Sequence, residues 1–262
     1  MNNKIWDVMC ADVVQKMFEH VMPFTTPISK VLEKDYGEHL GSASFFSIND
    51  KRYLITNEHV ANKLKYSSLA HQFYKSDCVV RLVNPMCVKE YPCDVAVSKI
   101  AEKAWKTCEH KSQAIPIERF LDKHEPVDGE LLFMIGYSGD RAAFHFGTLV
   151  SPATPYLTQE VDFPTNIGNF DCHFAINYKP DLATSVDGNT RGLPKPHGIS
   201  GSLVWNTKFV ECQQQQKEWY PEYAKVTGII WGWPSSDACL LATRIEHMNI
   251  HELAQSASSV AE

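Results

Sequence analysis

Hydrophobic residues change their spacing once along the chain, close to residue 24. Over residues 5–22 they recur every three or four positions, which predicts an amphipathic helix that ends at Pro23 and Pro27. Beyond this point they form short runs rich in β-branched and aromatic residues, separated by turn sequences such as "NDK" and "VDGE". The change of period predicts an N-terminal helix followed by strands.

About ten such runs follow one another with almost no helical pattern between them. They are ASFFSI (43–48), RYLITN (52–57), CVVRLV (78–83), CDVAVSKI (93–100), LLFMIG (131–136), AAFHFGTLV (142–150), DCHFAINY (171–178), GSLVW (201–205), AKVTGIIWGW (224–233) and ACLLATR (238–244). Many short strands in succession are typical of barrels and sandwiches. Residues 245–257 predict a C-terminal helix, and the four glutamines at 213–216 are interpreted as a solvated hairpin tip.

A long polar segment, residues 179–197, has no hydrophobic period and is predicted to be a loop. Long loops in compact domains are often binding or lid elements. This one leads into "KPHGISGSLVWN" (195–206), where Ser200 lies between two glycines ahead of an apolar run. Glycines let the backbone turn sharply, so that successive N–H groups can point to one place.

Two further residues have the chemistry that a nucleophilic serine needs, namely a base and a carboxylate to orient it. His59 follows the strand "RYLITN", where a side chain would leave the sheet and face a cleft. Asp94 opens the strand "DVAVSKI", an unusual place for an unpaired carboxylate. Each residue alone is more often a turn or surface residue. Their occurrence together, in the order His, Asp, Ser, favours a catalytic triad.

Composition excludes several other classes of function. The chain of 262 residues has a formal net charge of −6 and no cluster of basic residues, which argues against a nucleic-acid partner. No apolar run approaches the roughly eighteen residues of a membrane span, and charged residues interrupt the N-terminal apolar positions where a secretory signal would lie. We therefore expect no membrane association and a cytoplasmic location.

The eight cysteines are expected to be reduced thiols in that compartment. Their spacing includes no CxxC pair, so no metal site is predicted. No cofactor is predicted either.

The three motifs together resemble those of chymotrypsin/trypsin-like serine peptidases. "GSASFFSINDKRYLITNEHVA" is similar to the segment that leads to the catalytic histidine, "CDVAVSKI" to the Asp-x-Ala strand, and "GISGSLVWN" to the Gly-x-Ser-Gly turn. "PVDGELLFMIGYSG" (126–139) resembles a strand common in bacterial and HtrA-like members, and no PDZ-like extension is expected. The resemblance runs from about residue 41 to residue 248.

The resemblance implies an all-β fold of two antiparallel six-stranded β-barrels with an N-terminal and a C-terminal helix. The expected division is residues 1–24 for the first helix, 25–118 and 119–245 for the two barrels, and 246–262 for the last helix and tail. His59 would be the general base, Asp94 would orient it, and Ser200 would attack the substrate carbonyl. The backbone N–H groups of Gly198 and Ser200 would form the oxyanion hole.

Two departures from the family pattern limit the kind of enzyme. Ile199 stands where zymogen-activated members have an aspartate before the serine, so no carboxylate is there to pair with a newly cleaved N-terminus. Ser202 replaces the final glycine of the motif. The family's substrate pocket corresponds here to His197, Ile230 and Trp231 with their neighbours, which predicts a hydrophobic or partly blocked pocket.

The sequence therefore predicts a trypsin-like serine endopeptidase that acts on a protein or peptide substrate. A second hypothesis is a catalytically latent module of the same fold that binds a peptide or protein partner. An α/β-hydrolase esterase is set aside, because Ser202 breaks its Gly-x-Ser-x-Gly motif and the order of its triad differs. The N-terminal helix is interpreted as packing on the chain's own barrels, with docking to a regulatory protein partner as the alternative.

Overall fold

The computed structural model describes residues 3–33, 36–145, 148–165, 167, 169–183, 192–234 and 236–260. These residues form two antiparallel sheets of eight and seven strands, a separate two-stranded pair and five α-helices. The predicted all-β class with a helix near each end is confirmed. Both sheets have more than the six strands predicted for each barrel, because two- and three-residue strands extend them.

The first sheet comes from the N-terminal part of the chain. Its strands are β1 (Thr25–Glu33), β2 (Tyr36–Ile48), β3 (Lys51–Thr56), β4 (Ser68–Gln72), β5 (Val79–Arg81), β6 (Cys87–Lys89), β7 (Val95–Ile100) and β8 (Ile115–Pro116). They are ordered β5-β4-β1-β2-β3-β7-β6, and β8 adds to β2 as a parallel neighbour. The strand β3 therefore lies beside β7, and the last residue of β3, Thr56, pairs with Ala96 near the start of β7.

The second sheet follows in sequence. A two-stranded pair, β10 (Ala143–His145) with β11 (Thr148–Val150), stands apart from it. The strands of the sheet itself are β9 (Leu132–Tyr137), β12 (Ala153–Thr158), β13 (Glu160–Val161), β14 (His173–Asn177), β15 (Leu203–Asn206), β16 (Lys225–Gly232) and β17 (Cys239–Arg244). Their order is β12-β9-β15-β16-β17-β14-β13.

The α-helices are short except at the two ends of the chain. They are α1 (Asn3–Val21), α2 (Glu58–Ala61), α3 (Glu102–Trp105), α4 (Phe209–Gln214) and α5 (Ile250–Val260). Among the described helices, none has both the length and the hydropathy that crossing a bilayer requires. Met17 of α1 and Ala257 of α5 are buried in one hydrophobic cluster shared with both sheets. The prediction that the N-terminal helix packs on its own chain is confirmed.

Successive residues of the central strands face two different cores. Phe45 packs in a cluster inside the first sheet, whereas Phe46 packs in the cluster shared by both sheets and the terminal helices. In the second sheet Met134 faces an inner cluster and Phe133 faces the shared one. Because neighbouring side chains of a strand point to opposite faces, unbroken apolar runs such as "LLFMIG" are what two buried faces require.

Two further sequence predictions differ from the structure. The four glutamines at 213–216 do not form a hairpin tip, because Gln213 and Gln214 belong to α4. The run at 142–150 is not one strand, since Ala143–His145 pairs antiparallel with Thr148–Val150. Part of the predicted loop at 179–197, residues 184–191, lies outside the described residues.

Candidate active site

His59 lies on the short helix α2, three residues after the last residue of β3. Val60 and Ala61 are buried and anchor the helix, while the His59 side chain is 47% exposed. Its Nδ1 lies 2.6 Å from Oδ2 of Asp94. Since a carboxylate oxygen accepts, Nδ1 carries the hydrogen, which leaves Nε2 of the neutral ring free to take a proton.

Asp94 is buried immediately before β7, in a left-handed conformation with a φ of 51°. Its Oδ1 accepts a hydrogen bond from the backbone N–H of His59 at 2.9 Å. Its backbone oxygen accepts another from the amide of Asn57 at 2.8 Å. Both carboxylate oxygens therefore contact His59, and the buried Asn57 fixes the main chain between them.

The loop that carries Asp94 is also held by the second sheet. Thr243 Oγ1 donates to the oxygen of Cys93 at 2.8 Å. The buried ring of His173 accepts from the N–H of Asn169 at Nδ1, so its Nε2 donates to the oxygen of Pro92 at 2.6 Å. Burial lowers the pKa of His173, which favours this neutral form. The position of Asp94 thus depends on both sheets.

Two consecutive four-residue turns, residues 196–199 and 199–202, carry Gly198 and Ser200 respectively. The first is closed by the N–H of Ile199 and the oxygen of Pro196 at 3.0 Å, and the second by the N–H of Ser202 and the oxygen of Ile199 at 3.0 Å. Each has glycine in third place, Gly198 with a φ of 93° and Gly201 with a φ of 91°. A positive φ at that position alone is the conformation of a type II turn.

The two glycines are required by space as well as by conformation. A Cβ on Gly201 would lie 1.9 Å from the backbone oxygen of Ser42, and one on Gly198 would lie 2.3 Å from Nε2 of His39. The first sheet therefore approaches the serine turns so closely that no side chain fits. This close approach is the physical reason for the pattern "GISGS".

The turns leave two backbone N–H groups without an acceptor. Within the described part of the chain, neither Gly198 nor Ser200 donates its backbone N–H to a protein oxygen. Both residues line a cavity. These are the two N–H groups that the sequence predicts for the oxyanion hole, and they are available there for a ligand oxygen.

The two departures from the family pattern have simple structural explanations. Ile199 is fully buried in the inner cluster of the second sheet, where an apolar side chain fits and an unpaired carboxylate would not. Ser202 is also buried, and its hydroxyl donates to the backbone oxygen of Ile199 at 2.7 Å. The extra hydroxyl thus closes the second turn and leaves its conformation intact.

A cavity of about 290 Å³ brings the predicted residues together. It is lined by Leu40, His59, Pro196, His197, Gly198, Ser200, Ile230, Trp231, Gly232, Trp233 and Leu240. All three predicted pocket residues are among them. No carboxylate or ammonium group is among these lining residues. The described residues include no hydrogen bond between the Ser200 hydroxyl and the His59 ring, although both line the cavity.

Sequence reasoning did not find the residues that hold this site. His39, Ser42, Asn57, His173 and Thr243 contact the loops of Asp94 and Ser200 by hydrogen bonds. Only Asn57, two positions before His59, lies next to a predicted site residue in sequence. The others are separated from their partners by 81 to 159 positions, so no local motif marks them.

Comparison with known proteins supports the fold. The chain matches no protein-family model and no curated protein sequence. Among solved structures it is similar to the MamO protease domain from Magnetospirillum magneticum, with a TM-score of 0.50 and 14% identity over 90% of this chain and 98% of that one. It also matches tobacco vein mottling virus protease, with a TM-score of 0.47 and 12% identity over 90% of this chain and 84% of that one. The chain has a chymotrypsin-like protease fold.

Proposed function

We propose that this protein is a serine endopeptidase in which His59, Asp94 and Ser200 form the catalytic triad. The observation that carries the proposal is the 2.6 Å contact between Asp94 and Nδ1 of His59, with His59 and Ser200 on one cavity. A base oriented by a carboxylate beside a serine is the arrangement that nucleophilic acyl transfer needs. The N–H groups of Gly198 and Ser200 supply the oxyanion hole.

Each residue has one step in the proposed reaction. Ser200 Oγ attacks the carbonyl carbon of the scissile peptide bond while Nε2 of His59 takes its proton, and the carbonyl oxygen becomes an oxyanion. The imidazolium, stabilised by Asp94, then gives the proton to the leaving amine as the C–N bond breaks. Water attacks the resulting acyl-enzyme with His59 again as base, which releases the carboxylic acid and restores Ser200.

The cavity favours an apolar side chain on the acyl side of the cleaved bond. Ile230, Trp231, Trp233 and Leu240 contribute apolar surface, and its described lining contains no carboxylate to pair with lysine or arginine. A charged group placed there without a partner would lose its hydration with no compensation. Peptides with a bulky apolar residue at this position are therefore the substrates that we propose.

A fluorophosphonate probe tests the chemistry directly, because it labels an activated serine. We expect stoichiometric labelling of the wild type, loss of labelling in Ser200→Ala and normal labelling in Ser98→Ala, which changes a buried serine of β7. On a cleaved peptide, Ser200→Ala and His59→Ala should each lower kcat on the order of 10⁶-fold. Unchanged activity in either variant would refute the assignment.

One observation favours the second candidate, a latent protease-fold module that binds a peptide or protein partner. The Ser200 hydroxyl is not hydrogen-bonded to His59 among the described residues, as an active triad would have it, although such bonds are often long without substrate. A folded wild type that the probe leaves unlabelled, but that binds apolar peptides, would support this candidate. A regulatory partner and a cytoplasmic location stay predictions from the sequence.

A further inference from the structure

The first of the two turns, residues 196–199, needs a support that its own residues do not provide. Its glycine, Gly198, has a φ of 93°, and the N–H of that residue is directed by the peptide bond between His197 and Gly198. A type I turn, with a negative φ at the same place, would rotate this peptide and turn the N–H away. Ile199 beside it is apolar, so it has no charged group to hold the turn.

Ser42 of β2 contacts the two turns through two hydrogen bonds and β9 through a third. Its hydroxyl donates to the backbone oxygen of Gly198 at 2.9 Å and accepts from the N–H of Tyr137 at 2.9 Å. Its own N–H donates to the backbone oxygen of Ser200 at 2.7 Å. Ser42 is only 1% exposed, so water does not compete for these bonds. One side chain thus connects β2 to β9 and to the turn of residues 196–199, the oxyanion turn.

His39, three positions earlier on β2, contacts the same carbonyl. Its Nε2 lies 2.7 Å from the oxygen of Tyr137 and 3.3 Å from the oxygen of Gly198. Because both neighbours only accept, Nε2 must carry the hydrogen. Burial lowers the pKa of His39, so the ring is a neutral donor. Two donors from β2 therefore converge on the oxygen of Gly198.

We propose that Ser42 and His39 are positioning residues, which keep the oxyanion turn in its type II conformation in the resting protein. They take the role that a charged side chain at position 199 would otherwise have. The peptide between Gly198 and Ile199 is fixed at both ends: its oxygen accepts from β2, and its N–H donates to Pro196 at 3.0 Å. With that plane fixed, the neighbouring peptide keeps its N–H directed to the cavity. The inference depends on the proposed serine peptidase activity.

Loss of this support should affect catalysis more than substrate binding. The Gly198 N–H contacts the oxyanion most strongly in the transition state, so its misplacement lowers kcat and leaves KM nearly unchanged. Removing an oxyanion donor outright costs about 100- to 1000-fold in kcat. A donor that is only misdirected part of the time should cost less, on the order of 10-fold.

The test compares Ser42→Ala with Ser98→Ala, another buried serine, whose hydroxyl donates to the backbone oxygen of Asn84 and which does not line the cavity. We expect kcat on an apolar peptide to fall about 10-fold in Ser42→Ala with KM unchanged. A matched peptide aldehyde, which forms an oxyanion when Ser200 adds to it, should bind about 10-fold more weakly. Ser98→Ala should leave both quantities unchanged.

A second pair of variants decides the matter if Ser42→Ala does not fold. The amide of His39→Gln can still donate to the oxygen of Gly198, whereas His39→Leu cannot. We expect His39→Gln to retain more kcat and more aldehyde affinity than His39→Leu at equal KM. Equal loss in both variants would count against His39 as a positioning residue.

The outcomes separate the two proposals. If the wild type is labelled by fluorophosphonate but folded Ser42→Ala keeps its kcat and its aldehyde affinity, the positioning role is wrong and the peptidase assignment stands. If the wild type is not labelled, the peptidase assignment fails, and crystal structures of the wild type and Ser42→Ala still test the turn. A negative φ at Gly198 in the variant alone would support the inference, and the same positive φ in both would overturn it.

Discussion

At the scale of single residues, Asp94→Asn combines a small structural change with a large expected effect on kcat. In this structure the backbone N–H of His59 lies 2.9 Å from Oδ1 of Asp94, and Asp94→Asn retains an oxygen that can accept this hydrogen bond. The new amide group, however, no longer selects the ring form of His59 with hydrogen on Nδ1. We expect kcat to fall on the order of 10⁴-fold with a folded protein. Steady-state kinetics checks this, and Asp122→Asn, an exposed carboxylate outside the cavity lining, should behave as the wild type.

Gly201 offers a second prediction, on stability. A Cβ there would lie 1.9 Å from the oxygen of Ser42, whereas one on Gly129, also at a positive φ, would have its nearest neighbour 3.7 Å away. Gly129→Ala should lower the free energy of unfolding by about 1–2 kcal/mol for its left-handed conformation alone. Gly201→Ala should cost clearly more, because the main chain of β2 must move. Urea unfolding of both variants measures the difference, and equal losses would contradict the close approach.

The contrast between Gly201 and Ser42 shows what the sequence reveals at this scale. Gly201 belongs to a motif of adjacent residues, so its role could be predicted from the chain. Ser42 acts on Gly198, 156 positions away, and nothing around Ser42 indicates that contact. The sequence predicts that His59, Asp94 and Ser200 share one site because their order and strand contexts resemble those of a known family. The residues that hold them have no such pattern.

At the scale of elements, the N-terminal helix α1 is part of the fold's main core. Met17 is fully buried there, whereas Val8 on the same helix is 66% exposed. Met17→Ala should lower the free energy of unfolding by about 2–5 kcal/mol, since it leaves a cavity that the surrounding strands only partly fill. Val8→Ala should change it by less than about 0.5 kcal/mol. If urea unfolding gave equal small changes, α1 would not be packed as described.

The helix α4 shows why some elements escape prediction. Its N-terminal N–H groups, at Val210 and Glu211, donate to the carboxylate of Glu130 at 3.0 and 3.1 Å. The residue before the helix, Lys208, is left-handed and gives no side-chain cap. The stabilising group thus lies some 80 positions upstream, and the glutamine-rich segment alone resembles a solvated turn. The strands, in contrast, follow more often from local apolar runs. Eleven of the seventeen described strands overlap a predicted run, and those that do not are β1, β4, β6, β8, β12 and β13.

At the scale of the whole molecule, buried histidines make stability depend on pH. His71 is 2% exposed, among Phe45 and Phe73, and burial lowers its pKa to about 3. Between the unfolded value of about 6.5 and this value, the unfolded chain binds a proton that the folded protein does not. The free energy of unfolding should therefore fall with falling pH in this window, by up to about 1.4 kcal/mol per pH unit from this residue.

Urea unfolding between pH 7 and pH 4 measures that dependence. His71→Leu should show a shallower fall than the wild type, because the variant lacks the group that takes up the proton. His251→Gln, which changes an exposed histidine of α5, should keep the full dependence. Identical profiles for the wild type and His71→Leu would contradict the burial of a neutral imidazole at this place.

The hydrogen bonds between the two sheets have a consequence for inhibition. Ser42 of the first sheet binds the turn of Ser200, while Thr243 of the second sheet binds the loop of Asp94. Each sheet thus holds a loop that belongs to the other sheet, and a shift of one sheet against the other would displace Asp94 and Ser200 together. For the proposed peptidase, a small molecule or antibody that separates the sheets should therefore abolish activity without entering the cavity, and substrate should not displace it.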